Sequence, residues 1–256
     1  MLKNKKAKTI SKIILSVALV FFILPFLFSS CNENDVGESN GSATPANKSE
    51  PKEKDFELSK TVFLGDSNIA HLAAYGLVDD ERILTGSEYY LTLEPDVFRK
   101  YVVCKKANKE MTPAEAVKFL SPDFLVITLG TDGALSLDRE GFELSYDELI
   151  ESIKNVSPNT EIILQSIFPV RQGERNIRFY DVKYANQKFT EANKWISELA
   201  EKYDLCYINT ASVLCDESGE LKREYNTAHL DGYHLNREGL CAMLDYICEN
   251  AGGSKK

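Results

Sequence analysis

A serine, an aspartate and a histidine stand where their side chains could act together. Ser67 follows Gly65 and Asp66 early in the chain, and Asp231 and His234 lie three residues apart near its end. A serine hydroxyl is a weak nucleophile at neutral pH and needs a base to attack a carbonyl. Histidine can be that base when a carboxylate binds one ring nitrogen and leaves the other for the serine. The residues therefore predict Ser67 as nucleophile, His234 as base and Asp231 as the group that orients it.

Apolar runs alternate with helical periodicity from about residue 56 to residue 251, a length that suits one domain with a full-sized core. Continuous apolar runs predict four strands, at 61–64, 124–129, 161–167 and 205–208. Strands that are apolar throughout and separated by helices are typical of a parallel sheet covered on both faces. The pattern predicts an α/β fold whose working site lies at the carboxyl ends of the strands.

Capping patterns indicate where several helices begin. Residues 112–115 (Thr-Pro-Ala-Glu) and 145–148 (Ser-Tyr-Asp-Glu) are both typical of a capping box, so we expect a helix to begin at each. Apolar residues at helical spacing over 182–199 predict one long amphipathic helix. Asn236 is a suitable cap for a last helix, which would hold the preceding histidine loop in place.

Three polar segments should meet along one rim of the predicted sheet. Gly65-Asp66-Ser67 follows the first strand, residues 130–133 (Gly-Thr-Asp-Gly) follow the second, and residues 231–234 precede the last helix. The backbone N–H of a serine at a strand-to-helix turn has no partner within the helix. Ser67 could therefore attack a carbonyl and also help to hold the oxyanion that forms.

The early Gly65-Asp66-Ser67 and the late Asp231-x-x-His234, on an alternating strand–helix chain, resemble the SGNH, or GDSL, hydrolase family. The resemblance covers nearly the whole domain, from about residue 60 to residue 247. It implies a three-layer α/β/α sandwich with a flavodoxin-like central parallel sheet, the SGNH hydrolase fold. It also implies a serine ester hydrolase that needs no cofactor and no metal, with the roles of Ser67, Asp231 and His234 given above.

The same resemblance implies an oxyanion hole with three donors: the serine N–H, a glycine N–H and an asparagine side chain. Gly86 best fits the glycine, and Gly76 is the alternative, although it also suits the end of a helix. Asp132 stands in the asparagine position. An ionised carboxylate has no proton to donate, although a protonated Asp132 could donate one. Losing one such donor typically costs about 10²–10³ in rate, so we expect a weakened oxyanion hole.

The first residues are typical of an export signal. Five lysines precede a mostly apolar run at 13–28, and Ser29, Ser30 and Cys31 follow it. Residues 27–31 resemble the lipobox of bacterial lipoproteins, in which the cysteine is acylated. We expect a signal peptide over 1–30, lipid on Cys31, a flexible linker over 31–55, the hydrolase domain over 56–251 and a tail over 252–256. An uncleaved signal anchor or a secreted form is the alternative, and either leaves the domain outside the cytoplasm.

Charge and cysteine content bear on the partners. Without the five lysines before residue 13, the formal net charge falls from −9 to −14. No basic stripe offsets this charge, so we expect no nucleic-acid partner. The five cysteines of the domain contain no Cys-x-x-Cys pair, which disfavours a zinc ribbon or a redox motif. Cys241 and Cys248, seven residues apart in the last helix, are predicted to be buried on one face.

Several other residues have two interpretations. His71, four residues after Ser67, either borders the pocket or is simply exposed. His229 near Asp231 and His234 suggests a metal site, but no standard ligand spacing is met, so we expect no metal. Three tyrosines form either an aromatic platform for a sugar or half-buried loop packing: Tyr89, Tyr90 and Tyr101.

We therefore expect a lipid-anchored, extracytoplasmic serine esterase that removes short acyl groups, O-acetyl groups above all, from a glycan or a similar small ester. Location and family habit suggest this substrate, whereas no pocket residue does. Asp132 leaves open a catalytically weakened lipoprotein that binds acylated glycans. An O-acyltransferase, in which a sugar hydroxyl resolves the same acyl-enzyme, is a further alternative.

Overall fold

The computed structural model describes residues 54–173, 181–227 and 231–252. The predicted signal peptide, Cys31, nearly all of the linker and His229 lie outside these ranges. Within the ranges, no helix combines the length and the apolar character needed to span a bilayer.

A five-stranded parallel sheet forms the centre of the domain, in the order β2-β1-β5-β6-β7. The strands are β1 (Thr61–Gly65), β2 (Ile83–Leu84), β5 (Phe124–Thr128), β6 (Glu161–Gln165) and β7 (Cys206–Ile208). A separate antiparallel hairpin contains β3 (Val102–Cys104) and β4 (Lys109–Met111). In the register of the sheet, Gly65 pairs with Thr128 and Leu64 with Leu84. The ends of β1, β2 and β5 therefore lie side by side.

Helices cover both faces of the sheet. They are α1 (Ser67–Ala74), α2 (Pro113–Leu120), α3 (Gly133–Ser136), α4 (Arg139–Val156), α5 (Val182–Tyr203), α6 (Ala211–Leu214) and α7 (Arg237–Asn250). Side chains of β1 alternate between two apolar cores: Val62 and Leu64 pack in the core that contains α4 and α5 residues, and Phe63 packs in the core with α1 and α7 residues. The expected three-layer α/β/α sandwich is confirmed.

The predicted elements are largely confirmed, with one wrong helix start. Thr112 and Glu115 form the reciprocal capping box at α2, and Asn236 caps α7 by accepting the N–H of Gly239. Helix α4, however, begins at Arg139 and not at Ser145, because Asp138 caps it. The buried Ser145 hydroxyl instead donates to a backbone carbonyl one turn earlier.

The prediction for the two cysteines of the last helix is also wrong. Cys241 is partly exposed and Cys248 is exposed. The buried face of α7 is formed instead by Leu240, Met243 and Ile247, which pack against the sheet. Each cysteine of the described domain is a free thiol.

Candidate active site

The turn between β1 and α1 presents Ser67 at the rim of the sheet. Asp66 is the N-cap of α1, and its Oδ1 accepts the backbone N–H of Asn68 at 3.0 Å. This cap makes Ser67 the first residue of the helix and leaves it partly exposed. The Oδ2 of Asp66 also accepts the hydroxyl of Thr131 at 3.3 Å. Asp66 therefore joins the serine turn to the turn that follows β5.

Ser67, His234 and Asp231 form a continuous hydrogen-bonded chain. The Oγ of Ser67 lies 2.8 Å from Nε2 of His234, and Nδ1 of His234 lies 2.6 Å from Oδ2 of Asp231. The structure thus brings together the three residues that the sequence singled out. With Nδ1 donating to the carboxylate, Nε2 is free to accept the serine proton.

The Asp231 carboxylate is held in its charged form. Burial alone would raise its pKa. Hydrogen bonds from the His234 ring and from the backbone N–H groups of His234 and Tyr233 outweigh that effect and lower the pKa from 3.8 to about 2. Asp231 is therefore ionised at neutral pH. It can orient His234 and stabilise the imidazolium that forms when His234 takes a proton.

Residues outside the triad fix the histidine loop, and sequence reasoning missed them. Asn68 donates to the carbonyl of Tyr233 and accepts the N–H of Leu235. Asn226 donates to the carbonyl of His234 at 2.9 Å and to Oδ1 of Asp231 at 3.4 Å. The contacts of Asn68 join parts of the chain 165 and 167 residues apart, and those of Asn226 lie within one loop without sequence periodicity, so no periodic spacing could have indicated either.

Gly232 is required by the path of the same loop. Its φ is +77°, in the left-handed region, and its carbonyl accepts the N–H of Arg171 at 2.7 Å. A Cβ at this position would overlap the carbonyl oxygen of Arg171. Only glycine fits at position 232 while the loop keeps this contact.

Gly86 and Asp132 both follow strands that flank β1. Leu84, the last residue of β2, pairs with Leu64, so Gly86, two residues after the strand, follows it at the same end of the sheet as the serine turn. Asp132 begins α3 on the other side, in the turn after β5. Gly76 instead ends α1, and its N–H is already bonded to the carbonyl of Ala73 at 2.9 Å. The structure therefore favours Gly86 over Gly76 as an oxyanion donor.

His71 contacts the candidate base and is not simply exposed. Its ring centroid lies 4.9 Å from that of His234, and the side chain is partly buried. Burial and, to a smaller extent, electrostatic repulsion between the two imidazole rings lower the pKa of His71 below its ordinary 6.5. Its Nδ1 is buried and has no hydrogen-bond partner in the described part of the chain. His71 is therefore favoured as a neutral ring beside His234.

The exposure of the three tyrosines and the arrangement of possible metal ligands bear on the remaining alternatives. Tyr89, Tyr90 and Tyr101 have exposures of 62%, 67% and 63%, so half-buried loop packing is wrong. Among the described residues, no three His, Cys, Asp or Glu side chains converge in a way that could hold a metal ion.

Comparisons with known proteins agree with the fold. A protein from Bacteroides fragilis described as a candidate acylhydrolase is 18% identical, with a TM-score of 0.54 over 75% of this chain and 88% of that one. A GDSL-like lipase from Bacteroides thetaiotaomicron is 19% identical, with a TM-score of 0.52 over 77% and 92%. The periplasmic domain of a lipopolysaccharide acetyltransferase from Salmonella Paratyphi A is 19% identical, with a TM-score of 0.50 over 78% and 85%. At these identities the likeness shows the fold alone.

Sequence comparison identifies the family. A search of curated proteins finds no match. The sequence pattern of the GDSL-like Lipase/Acylhydrolase family matches residues 106–240, which include Asp132, Asp231 and His234. Since the match spans more than half of the chain, the protein belongs to the GDSL-like lipase/acylhydrolase family of serine ester hydrolases.

Proposed function

We propose that the protein is an extracytoplasmic serine esterase that removes short acyl groups, O-acetyl groups in particular, from a glycan or a similar small ester. One observation carries the esterase mechanism: the chain of contacts from Ser67 Oγ to His234 Nε2 at 2.8 Å and from His234 Nδ1 to Asp231 Oδ2 at 2.6 Å. These distances are within the reach that proton transfer from nucleophile to base requires.

The first half of the reaction forms an acyl-enzyme. Ser67 Oγ attacks the ester carbonyl while Nε2 of His234 takes the hydroxyl proton, and Asp231 stabilises the imidazolium. The bond between the carbonyl carbon and the leaving oxygen then breaks, and His234 gives its proton to the leaving alcohol. In the second half, water attacks the acyl-Ser67 ester with His234 again as base, which releases the acid and restores Ser67.

The charge on the tetrahedral intermediate needs donors at the rim. The backbone N–H of Ser67, at the first position of α1, and that of Gly86, at the end of β2, are the donors that we assign. Asp132 occupies the third position. In its ionised form Asp132 would repel the oxyanion, so we propose that this side chain lowers the rate of hydrolysis.

The N-terminal sequence supports the proposed location, and this location together with the family supports the proposed substrate class. The basic start, the apolar run and Cys31 support export and a lipid anchor on the outer face of the membrane. An anchored enzyme in that place meets acylated glycans at the cell surface. The acidic domain supports a partner other than nucleic acid.

Asp132 favours a second candidate function. A site with a carboxylate at the oxyanion position would bind an acylated glycan and release it without turnover. An O-acyltransferase shares the acyl-Ser67 intermediate and differs in that a sugar hydroxyl, and not water, attacks it.

Hydrolysis of p-nitrophenyl acetate by the full-length chain in detergent tests the esterase. We expect turnover that Ser67→Ala abolishes, and covalent labelling of the wild type at Ser67 by a fluorophosphonate probe. A wild-type protein that neither hydrolyses the ester nor reacts with the probe would contradict the esterase function. Binding of an acylated glycan would then remain as the proposed function. Product analysis with a sugar acceptor present separates hydrolysis from acyl transfer.

A further inference from the structure

A cleft of about 430 Å³ opens along the flank of α1, beside the serine turn. One wall is the face of α1 that carries Ala70, Ala73 and Ala74, and Ala70 lies one helical turn after Ser67. The opposite wall contains Thr85 and Gly86 at the end of β2. Gly86 is thus shared between this cleft and the assigned oxyanion hole.

The lining of the cleft combines an apolar floor with a polar rim. The alanines of α1 leave room above the helix, and the rim carries Asp80, Glu88 and Lys105. A fatty acyl chain would have to bury its methylenes against these charged groups, which is unfavourable for the charges. A sugar ring instead offers an apolar C–H face and hydroxyls around its edge, which fits both surfaces.

Tyr89 stands at the mouth of the cleft with 62% of its surface exposed. The backbone of Glu88 and Tyr89 is left-handed, with φ of 56° and 64°, which is unusual for two consecutive residues other than glycine. The turn is held by a hydrogen bond from the N–H of Tyr89 to the carbonyl of Gly86 at 3.0 Å. Glycine is needed at position 86, because a Cβ there would overlap the carbonyl of Tyr90. Tyr89 thus belongs to a turn of defined backbone conformation, and its exposed ring lines the mouth of the cleft.

Thr85 provides an independent observation that points to a ligand. The residue is 6% exposed, and its Oγ1 is buried and has no hydrogen-bond partner among the residues that the structure describes. Its backbone carbonyl is engaged with the N–H of Val103 at 2.8 Å, so the residue is fixed in place. A buried hydroxyl without a partner is unfavourable, and because this oxygen is closed off from solvent, a ligand hydroxyl would satisfy it after a small movement of the side chains that cover it.

We propose that this cleft binds a sugar unit of the acylated glycan, with Tyr89 stacked on the apolar face of the sugar and Thr85 bonded to one of its hydroxyls. Asp80 and Lys105 supply an acceptor and a donor at the rim. The proposal rests on the proposed function, because it takes the glycan of that function as its ligand. It identifies this cleft as the site that aligns the glycan beside Ser67.

Tyr89 and Tyr101 offer a matched pair of variants, since their exposures are 62% and 63% and only Tyr89 lines the cleft. The measurement is kcat/KM of the full-length chain in detergent for chemically O-acetylated maltotetraose, cellotetraose and chitotetraose, each divided by kcat/KM for p-nitrophenyl acetate. We expect Tyr89→Ala to lower this ratio roughly tenfold for the preferred tetrasaccharide. Tyr101→Ala should leave the ratio unchanged, and Tyr89→Phe, which keeps the ring, should restore it.

A binding measurement separates failure of the cleft from failure of the esterase. Saturation-transfer NMR would follow the unacetylated tetrasaccharides on Ser67→Ala and on the double variant Ser67→Ala/Tyr89→Ala. Binding that the second change removes upholds the cleft even if the wild type hydrolyses no ester. Equal binding by both variants, or by neither, overturns the cleft and leaves Ser67-dependent esterase activity standing. A Tyr89-dependent preference for p-nitrophenyl octanoate over the acetate would also overturn it, in favour of an acyl-chain pocket.

Discussion

The side-chain oxygen of Asn68 accepts the backbone N–H of Leu235 at 2.9 Å, across 167 residues of sequence. Asn68 directly follows Ser67, and Leu235 directly follows His234. The amide of Asn68 also donates to the carbonyl of Tyr233 at 3.3 Å. One buried amide thus joins the turn that carries the nucleophile to the loop that carries the base.

Asn68→Ala should make the distance between the nucleophile Ser67 and the base His234 less well fixed. Both hydrogen bonds are lost and the N–H of Leu235 is left buried, so the free energy of unfolding should fall by about 1–3 kcal/mol. A displacement of the base by about 1 Å would lower kcat up to about 100-fold. Urea unfolding and ester turnover measure the two effects. The control is Asn250→Ala, which changes an exposed side chain at the end of α7. An unchanged kcat in Asn68→Ala would contradict the proposal that Asn68 holds the base near the nucleophile.

Local sequence was sufficient to predict the triad and insufficient to predict what holds it. Ser67, Asp231 and His234 were found because their types and their positions at strand and helix ends have chemical meaning by themselves. The role of Asn68 depends on a partner 167 residues away, and that of Asn226 on one eight residues away in a loop without periodicity.

The fold shows the same division between local and distant information. Strands β1, β5 and β6 have long apolar runs and were predicted. Strand β2 has two residues, too few to show any period, and it exists because Ile83 and Leu84 pair with β1. The local sequence at Ser145 is typical of an N-cap, but the residue lies buried inside α4, which the local sequence does not reveal.

Asp231→Asn should change both activity and acid stability. The folded-state pKa of Asp231 is lowered from 3.8 to about 2, so its ionised form contributes stability that is complete above about pH 4 and is lost as the pH falls towards 2. Urea midpoints of the wild type should therefore drop more steeply over this range than those of Asp231→Asn. At neutral pH the variant should lose up to about 10⁴ in kcat, as the tautomer of His234 is no longer fixed. Parallel midpoint curves for the two proteins would contradict the lowered pKa of Asp231.

His71→Gln should make stability less sensitive to mild acid. The pKa of His71 is lowered in the folded protein by burial and by His234, so the unfolded chain binds more protons than the folded one as the pH falls through about 6.5. His71 therefore lowers the free energy of unfolding below about pH 6.5 and has no such effect above it. Thermal midpoints from pH 7.5 to 5.5 should therefore fall more in the wild type than in His71→Gln. Equal slopes would show that His71 titrates normally; His71→Phe, which keeps a ring against His234, separates packing from charge.

Asp132→Asn tests whether the carboxylate weakens the oxyanion hole. The backbone carbonyl of Asp132 accepts the N–H groups of Leu135 and Ser136 at 3.1 Å, so the turn does not depend on the side chain alone. An amide in this position adds a donor and removes a negative charge from the rim. We expect kcat for p-nitrophenyl acetate to rise, by up to about 10²–10³ if the full contribution of one donor is regained. Asp245→Asn, which makes the same change of charge on the exposed side of α7, should leave kcat unaltered. An equal rise of kcat in both variants would assign the gain to net charge. No rise in Asp132→Asn would mean that this side chain does not face the oxyanion. The N–H groups of Ser67 and Gly86 would then hold the oxyanion without a third donor.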